Sequence, residues 1–243
     1  MVVMNLVKRM VWRALDSFPL FQVVRAVDLV SCNRLGRRGM LDQAFEFACV
    51  NRVPGDYFEF GVWRANTFRF AHRLKRKMGP KMKMWAFDSF EGLPPIDDDK
   101  FNAFTPGEYS CSETEFRAIL RRNGVRQGEY EVVPGDYQDS LNEALHRRMS
   151  GTQAAIVWFD CDLYISTKPA RDFLSRYLVE GTVVCFDDYY FYRGSPEQGE
   201  QRAIREFLTE HPEIHFTPYL DFAPTGKSFL IHLTGIGQDA LRQ

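Results

Sequence analysis

The 243-residue chain is poor in cysteine, and Cys32, Cys49, Cys111, Cys161 and Cys185 are scattered with no C-x-x-C pair among them. An odd, dispersed set disfavours a disulfide framework and a cysteine-bound zinc cluster, and it fits a reducing cytoplasm. Neither sign of charge is in excess: 31 basic residues against 32 acidic ones leave a net charge of −1, so the chain offers no electrostatic footprint for nucleic acid. Long apolar runs are also missing. In the first thirty residues Lys8, Arg9, Arg13, Asp16, Arg25 and Asp28 interrupt every run, well short of the ~18 apolar residues that a membrane span requires. That stretch reads as an amphipathic helix packing on the body or on a second subunit, so a homo-oligomer is expected and a membrane partner is not. There is no G-x-G-x-x-G and no P-loop, which disfavours NAD or ATP.

What is present is a regular alternation. A helical arm, residues 1–50, precedes one domain, residues 51–243, in which strands and helices take turns. "DYFEFG", "KMWAFDSF", "YEVVPGD", "AAIVWFD" and "TVVCFDD" have the composition of strands, and "IHFTPYL" and "KSFLIHL" form a closing pair. Between them lie stretches of helical spacing. Ser112 and Glu115 form a capping box, and the helix expected within the stretch 167–181 has Pro169 near its first turn and Gly181 after its end. Such alternation predicts an α/β fold with a mostly parallel sheet covered by helices on both faces. The last two strands are joined too tightly for a crossover helix, so one antiparallel strand should lie at or near an edge.

In sheets of this kind ligands bind beyond the carboxyl ends of the strands. Four of those ends carry acids: Glu59; Asp88; Asp160 with Asp162; and Asp187 with Asp188. Gly135 and Asp136 follow a fifth. Gly61 after a strand allows close approach of a ligand to the backbone, and an acid at the next strand's end, Asp88, can take the hydroxyls of a ribose. An ordinary strand-to-helix turn is the alternative for this pair. Asp160, Asp187 and Asp188 are hard oxygen donors with no His or Cys at coordinating spacing, so Mg²⁺, Mn²⁺ or Ca²⁺ is favoured over zinc, against the alternative of solvated acids that merely begin loops. The five histidines fit structural or surface roles, and none is assigned to catalysis.

The blocks "DYFEFGVWRANTFRFAHRL", "WAFDSFEGLP", "FDCDLYISTKPARDFL" and "VVCFDDYYF" together resemble the macrocin O-methyltransferase family of sugar-modifying enzymes, from about Gly55 to about Leu233. The resemblance implies a Rossmann-like class I methyltransferase with a seven-stranded sheet, using S-adenosylmethionine and Mg²⁺ to methylate a sugar hydroxyl. It implies cofactor contacts from Glu59, Gly61, Arg64, Asp88, Ser89 and Phe90, adenine-side contacts from Gly135, Asp136 and Tyr137, metal ligation by Asp160, Asp187 and Asp188, with Asp160 also bordering the cofactor, and a general base at Asp162. Ala65 departs from the family's usual glycine. Chelation of the ion by two adjacent hydroxyls would favour a vicinal diol as acceptor. A catechol-like phenol is the alternative acceptor, and a non-catalytic nucleoside- or metal-binding module is the alternative class. The long loop from Gly92 to Cys111 is expected to be a lid, with Asp97, Asp98 and Asp99 a solvated face, and the aromatic run Tyr189–Tyr192 to wall the acceptor pocket or pack in the core.

Overall fold

In the computed structural model, residues 35–78, 81–95 and 104–234 are described. The chain divides into two compact units, 1–35 and 36–243. The expectations for the helical arm before residue 35, Cys32 and Asp97–Asp99 lie outside the described residues.

Within the second unit the elements run α1 (Arg37–Val50), β1 (Asp56–Phe60), α2 (Asn66–Met78), β2 (Met84–Asp88), α3 (Glu113–Arg122), β3 (Glu131–Pro134), α4 (Tyr137–Ser140), α5 (Glu143–Arg148), β4 (Ala154–Phe159), α6 (Tyr164–Leu174), β5 (Leu178–Phe186), α7 (Gly199–Glu210), β6 (Ile214–Phe222) and β7 (Gly226–Leu233). Helix α1, on the arm's side of the boundary expected at residue 50, falls in the unit 36–243. The sheet order is β3-β2-β1-β4-β5-β7-β6. Neighbours from β3 through β5 pair in parallel, and β7 alone runs antiparallel to both of its neighbours, one place in from the edge. The central strands are apolar runs because both faces are covered: every residue of β4 is buried. Alternation along β1 sends Phe58 and Phe60 into the core shared with Phe173 of α6 and Phe207 of α7, while Tyr57 meets Phe45 of α1 and Phe68 of α2 on the other face.

One row of that core sets the sheet's register. Phe87, Phe60, Phe159 and Phe186 pair across β2, β1, β4 and β5. Their rings stack in succession, with centroids 4.4, 4.9 and 4.8 Å apart and planes within 16° of parallel. Each ring is at or next to the end of its strand, so the ladder aligns the residues that follow, Asp88, Gly61, Asp160 and Asp187, along one edge.

Two local expectations need correction. The helix expected within the stretch 167–181 begins earlier, at Tyr164, and ends at Leu174, followed by a 3₁₀ turn over Ser175–Tyr177. Pro169 therefore lies inside the helix, not in its first turn. Gly181 does not cap that helix: it sits inside β5 at φ +82°, in a bulge where pairing with β4 jumps from Leu178 to Val183. Thr182 closes the bulge, its hydroxyl donating to the Ala154 carbonyl at 2.6 Å and accepting the Val179 N–H at 3.0 Å. Burial of Tyr177 and Leu178 explains why the chain enters the sheet sooner than the helical pattern suggests. At α3, Ser112 accepts the Glu115 N–H at 3.2 Å as a capping box requires, but the Glu115 carboxylate pairs with Arg64 at 3.1 Å.

Removing one ring from the middle of the ladder tests its weight. Phe159→Ala is expected to lower the unfolding free energy by about 3–5 kcal/mol, the range for buried aromatic truncation, measured from urea denaturation; a loss under about 1 kcal/mol would show that the stack is not part of the stabilising core.

Candidate active site

Beyond the carboxyl ends of β1, β2, β4 and β5 lies a cleft of about 1010 Å³, with Gly61, Asp88, Asp136, Asp160, Asp162 and Asp188 in its wall. The backbone around it is unusual. Trp63, Ala65, Phe90, Tyr109 and Asp162 all take positive φ, between +35° and +61°, a conformation that costs a non-glycine residue of order 1 kcal/mol and gathers at functional sites. Gly61, at φ +84°, is obligatory for a further reason: a Cβ there would fall 1.9 Å from the Asp160 carbonyl oxygen. Ala65, which stands where the resembling family has glycine, is buried at φ +57°, so the conformational demand for glycine at that turn is present in this chain too.

On the β1–β2 side the acids brace loops. Asp88 accepts the Val62 and Trp63 N–H groups at 2.7 and 3.1 Å through one oxygen and the Phe90 N–H at 2.7 Å through the other. Burial raises its pKa against those bonds. Ser89 lines the cleft, donates to the Gly92 carbonyl at 3.1 Å and accepts the Glu91 N–H at 3.2 Å. Glu59 is fully buried below the cleft wall; it accepts the Thr67 hydroxyl at 2.6 Å and hydrogen-bonds the Tyr57 hydroxyl. Thr67 lines the cleft, so Glu59 reaches it through that hydroxyl. Asp136 and Tyr137 line the cleft, Asp136 as the cap of α4 through the Gln138 N–H at 2.8 Å and Tyr137 through its hydroxyl bond to the Phe87 carbonyl at 2.9 Å. Gly135 is anchored to the Asp88 carbonyl at 3.0 Å. Gly135, Phe90 and Arg64 are not in the cleft wall: Phe90 packs on Phe116 at 5.6 Å, and Arg64 is half exposed against Glu115.

On the β4–β5 side the carboxylates of Asp160, Asp187 and Asp188 converge, with one oxygen of each within 4.8 Å of the others. Burial, followed by repulsion from Asp187, holds the Asp160 pKa well above the usual range. Burial, followed by repulsion from Asp162, pushes Asp188 up to about 8. Asp162, raised to about 6 mainly by burial, shares a side-chain hydrogen bond with Asp188. Such a set of hard oxygen donors, without nitrogen or sulfur, fits a divalent cation of the Mg²⁺, Mn²⁺ or Ca²⁺ type, whose charge would relieve the repulsion.

Sequence reasoning missed three residues that brace this cluster. Arg37 at the start of α1 donates from Nε to both oxygens of Asp187, at 2.7 and 2.6 Å, across 150 positions of sequence. Glu200, fully buried at the start of α7, accepts the Asp188 N–H at 3.1 Å; burial, then repulsion from Asp188, lifts its pKa well above the carboxylate range. Thr225, in the β6–β7 turn, donates to the Asp187 carbonyl at 2.8 Å. No local spacing signals any of these contacts.

The described part of the loop after β2 is tied to itself, Leu93 N–H to the Glu108 carbonyl at 2.9 Å and Gly107 N–H to the Leu93 carbonyl at 2.8 Å. It brings Phe104 onto Phe191, with ring centroids 4.8 Å apart, and Tyr109 edge-on to Trp63 at 5.5 Å; all four rings line the cleft. The aromatic run divides: Phe191 faces the cleft, Tyr192 is buried and donates its hydroxyl to the Asp162 carbonyl at 3.2 Å, and Tyr189 packs on Phe186 and Phe229.

Strand order and cleft position define the Rossmann-like fold of class I methyltransferases. The crystal structure of CalS11, a calicheamicin methyltransferase, matches with a TM-score of 0.66 at 22% identity, over 91% of this chain and 90% of that one. The O-methyltransferase NovP matches with a TM-score of 0.62 at 22% identity, over 80% and 78%. The Macrocin-O-methyltransferase (TylF) family matches residues 25–214, and the chain belongs to that family. Over 163 residues it is 31% identical to the 8-demethyl-8-(2,3-dimethoxy-alpha-L-rhamnosyl)-tetracenomycin-C 4'-O-methyltransferase of Streptomyces olivaceus, covering 64% of this chain and 60% of that protein. It is 28% identical to the mycinamicin III 3''-O-methyltransferase of Micromonospora griseorubida, covering 63% and 62%. The matched region thus spans less than two thirds of either relative. Among the described residues no helix is long and apolar enough to cross a membrane.

Burial pushes the Glu59 pKa up to about 8, from an unfolded value near 4.3. A raised folded pKa means that the protonated form is favoured on folding, so its contribution is fully present below the unfolded pKa and is lost as pH rises towards and through 8. Glu59→Gln is expected to remove the fall in stability between about pH 5 and pH 8 that this group causes, measured as melting temperature against pH; an unchanged profile would place the linkage elsewhere.

Proposed function

We propose that this protein transfers a methyl group from S-adenosylmethionine to a hydroxyl of a sugar in a natural product, with a divalent cation held by Asp160, Asp187 and Asp188. The observation that carries this reading is the convergence of those three carboxylates within 4.8 Å at the strand ends, on a cleft shared with Gly61 and Asp88. Family membership and the rhamnosyl-bearing substrate in the name of the Streptomyces olivaceus relative support it. The acceptor class, a sugar with vicinal hydroxyls, comes from the chelating geometry that such a cation favours.

S-adenosylmethionine supplies a methyl already activated on a sulfonium sulfur, and a bound divalent cation supplies positive charge that lowers an acceptor hydroxyl's pKa. The chain has to hold the hydroxyl in line with that methyl, at ~3 Å, and take its proton. Gly61, with no side chain, would let the cofactor approach the β1–α2 turn, and Asp88, whose three backbone bonds leave it one further acceptor site, would take a ribose hydroxyl. Asp136 and Tyr137 border the adenine side. Asp162 receives the hydroxyl proton: it lines the cleft two residues beyond Asp160, and its left-handed backbone, held by Tyr192 at its carbonyl, separates it from the strand's alternation. Phe104, Phe191, Trp63 and Tyr109 offer apolar faces to the sugar ring.

Asp162→Asn suits the test because asparagine tolerates positive φ. It is expected to lower kcat by about 10²–10⁴-fold, the range for loss of a general base, with the S-adenosylmethionine Kd nearly unchanged; equal losses in both would defeat the base assignment. Calorimetric titration with S-adenosylmethionine is expected to show binding with and without Mg²⁺, and its absence would end the enzymatic reading. In a turnover panel of free and nucleotide-activated deoxysugars beside one simple catechol, the sugars are expected to be methylated. Turnover of the catechol alone would move the acceptor to phenols.

A further inference from the structure

The cation proposed above does not meet an unoccupied set of donors, because Asp187 already has a positive partner. Arg37 Nε lies 2.7 and 2.6 Å from the two oxygens of Asp187, and a terminal nitrogen of the same guanidinium also pairs with one of them. The two partners differ in freedom. Asp187 is fully buried and fixed at both ends of its peptide unit, its N–H on the Phe159 carbonyl at 3.0 Å and its carbonyl on Thr225 at 2.8 Å. The Arg37 side chain is half exposed and borders the cleft beside Asp160 and Asp188. It can withdraw into water at little desolvation cost; Asp187 cannot follow it.

A divalent cation placed among Asp160, Asp187 and Asp188 would stand within a few ångströms of that guanidinium. Like charges at such a distance repel, and both compete for the same carboxylate lone pairs. We propose that Arg37 is the resident counter-ion of this cluster: it keeps Asp187 paired when no divalent cation is bound, yields it on cation binding, and so sets the protein's metal affinity. The inference rests on the metal reading of the previous subsection and adds a residue to it. The opposite role, an outer partner that orients Asp187 for the metal, would make Arg37 a contributor to affinity, so the sign of its effect decides between them.

The test is Mn²⁺ binding to the full chain, wild type and Arg37→Gln, by calorimetry and by the loss of free-ion signal in electron paramagnetic resonance. Arg37→Gln is expected to bind Mn²⁺ about tenfold or more tightly, as removal of a like charge a few ångströms away implies. The metal-free variant is expected to melt below wild type, because Asp187 is then buried without a partner, and to gain more in melting temperature on Mn²⁺ addition. If Arg37→Gln does not fold without metal, Arg37→Lys serves: a point charge without the guanidinium fork should bind Mn²⁺ at an intermediate Kd. Unchanged or weaker Mn²⁺ binding by the variants, with wild type binding normally, overturns the role of Arg37 and leaves the metal site standing. No Mn²⁺ binding by wild type or variants overturns the metal reading and this inference together.

Discussion

Four stacked phenylalanine rings set the geometry on which the site depends. Phe87, Phe60, Phe159 and Phe186 each occupy the last core position of a strand, and their pairing fixes the four strands in one register. A slip of one residue in any strand would turn that ring to the wrong face and carry its tip out of line. The next residues along, Asp88, Gly61, Asp160 and Asp187, are brought into line by this packing and then held by hydrogen bonds of their own. Dry, close-packed aromatic contact beneath the tips also lowers the local dielectric, which makes any charge gathered there interact strongly.

That strength works against the folded protein unless the charge is answered. Asp160, Asp162, Asp187 and Asp188 lie together with Glu200 behind them, and burial raises the pKa of Asp160, Asp162, Asp188 and Glu200. The fold answers in several ways: Arg37 supplies a cation to Asp187, Glu200 is held towards its neutral form, and Asp188 and Asp162 share a hydrogen bond. Buried charge of this kind is weak as a source of stability and is retained where chemistry needs it. The run of left-handed residues around the same cleft is a second local cost, carried by the surrounding packing.

Much of this was legible in the sequence because its causes are local. Apolar runs alternating with helical spacing define a largely parallel sheet, and the short link between "IHFTPYL" and "KSFLIHL" marks the antiparallel strand. The acids were visible because each follows a strand directly. The phenylalanine before each tip was visible too, in "EFG", "AFD", "WFD" and "CFD", but its meaning appears only when the strands are set side by side. Arg37 escaped because nothing in its neighbourhood separates it from a surface arginine, and its partner is distant in sequence. Gly181 was misassigned for the opposite reason: its local signature fits a helix end, and burial of Tyr177 and Leu178 overrides it. Glu59 and Arg64, read as cofactor contacts, lie behind and beside the cleft wall, since strand alternation buries the first and Glu115 draws the second outward.

Thr225 ties the acidic tip of β5 to a turn between the two strands nearest the carboxyl end of the described fold. A ribosome makes that turn after every other described part of the cleft. Until it emerges, the peptide carrying Asp187 and Asp188 lacks both this hydroxyl and the neighbouring strand β7, which pairs with β5 from Val183 to Phe186. The nascent chain can thus build its aromatic floor while the acidic corner remains open, and that end of the cleft is the last piece to take shape.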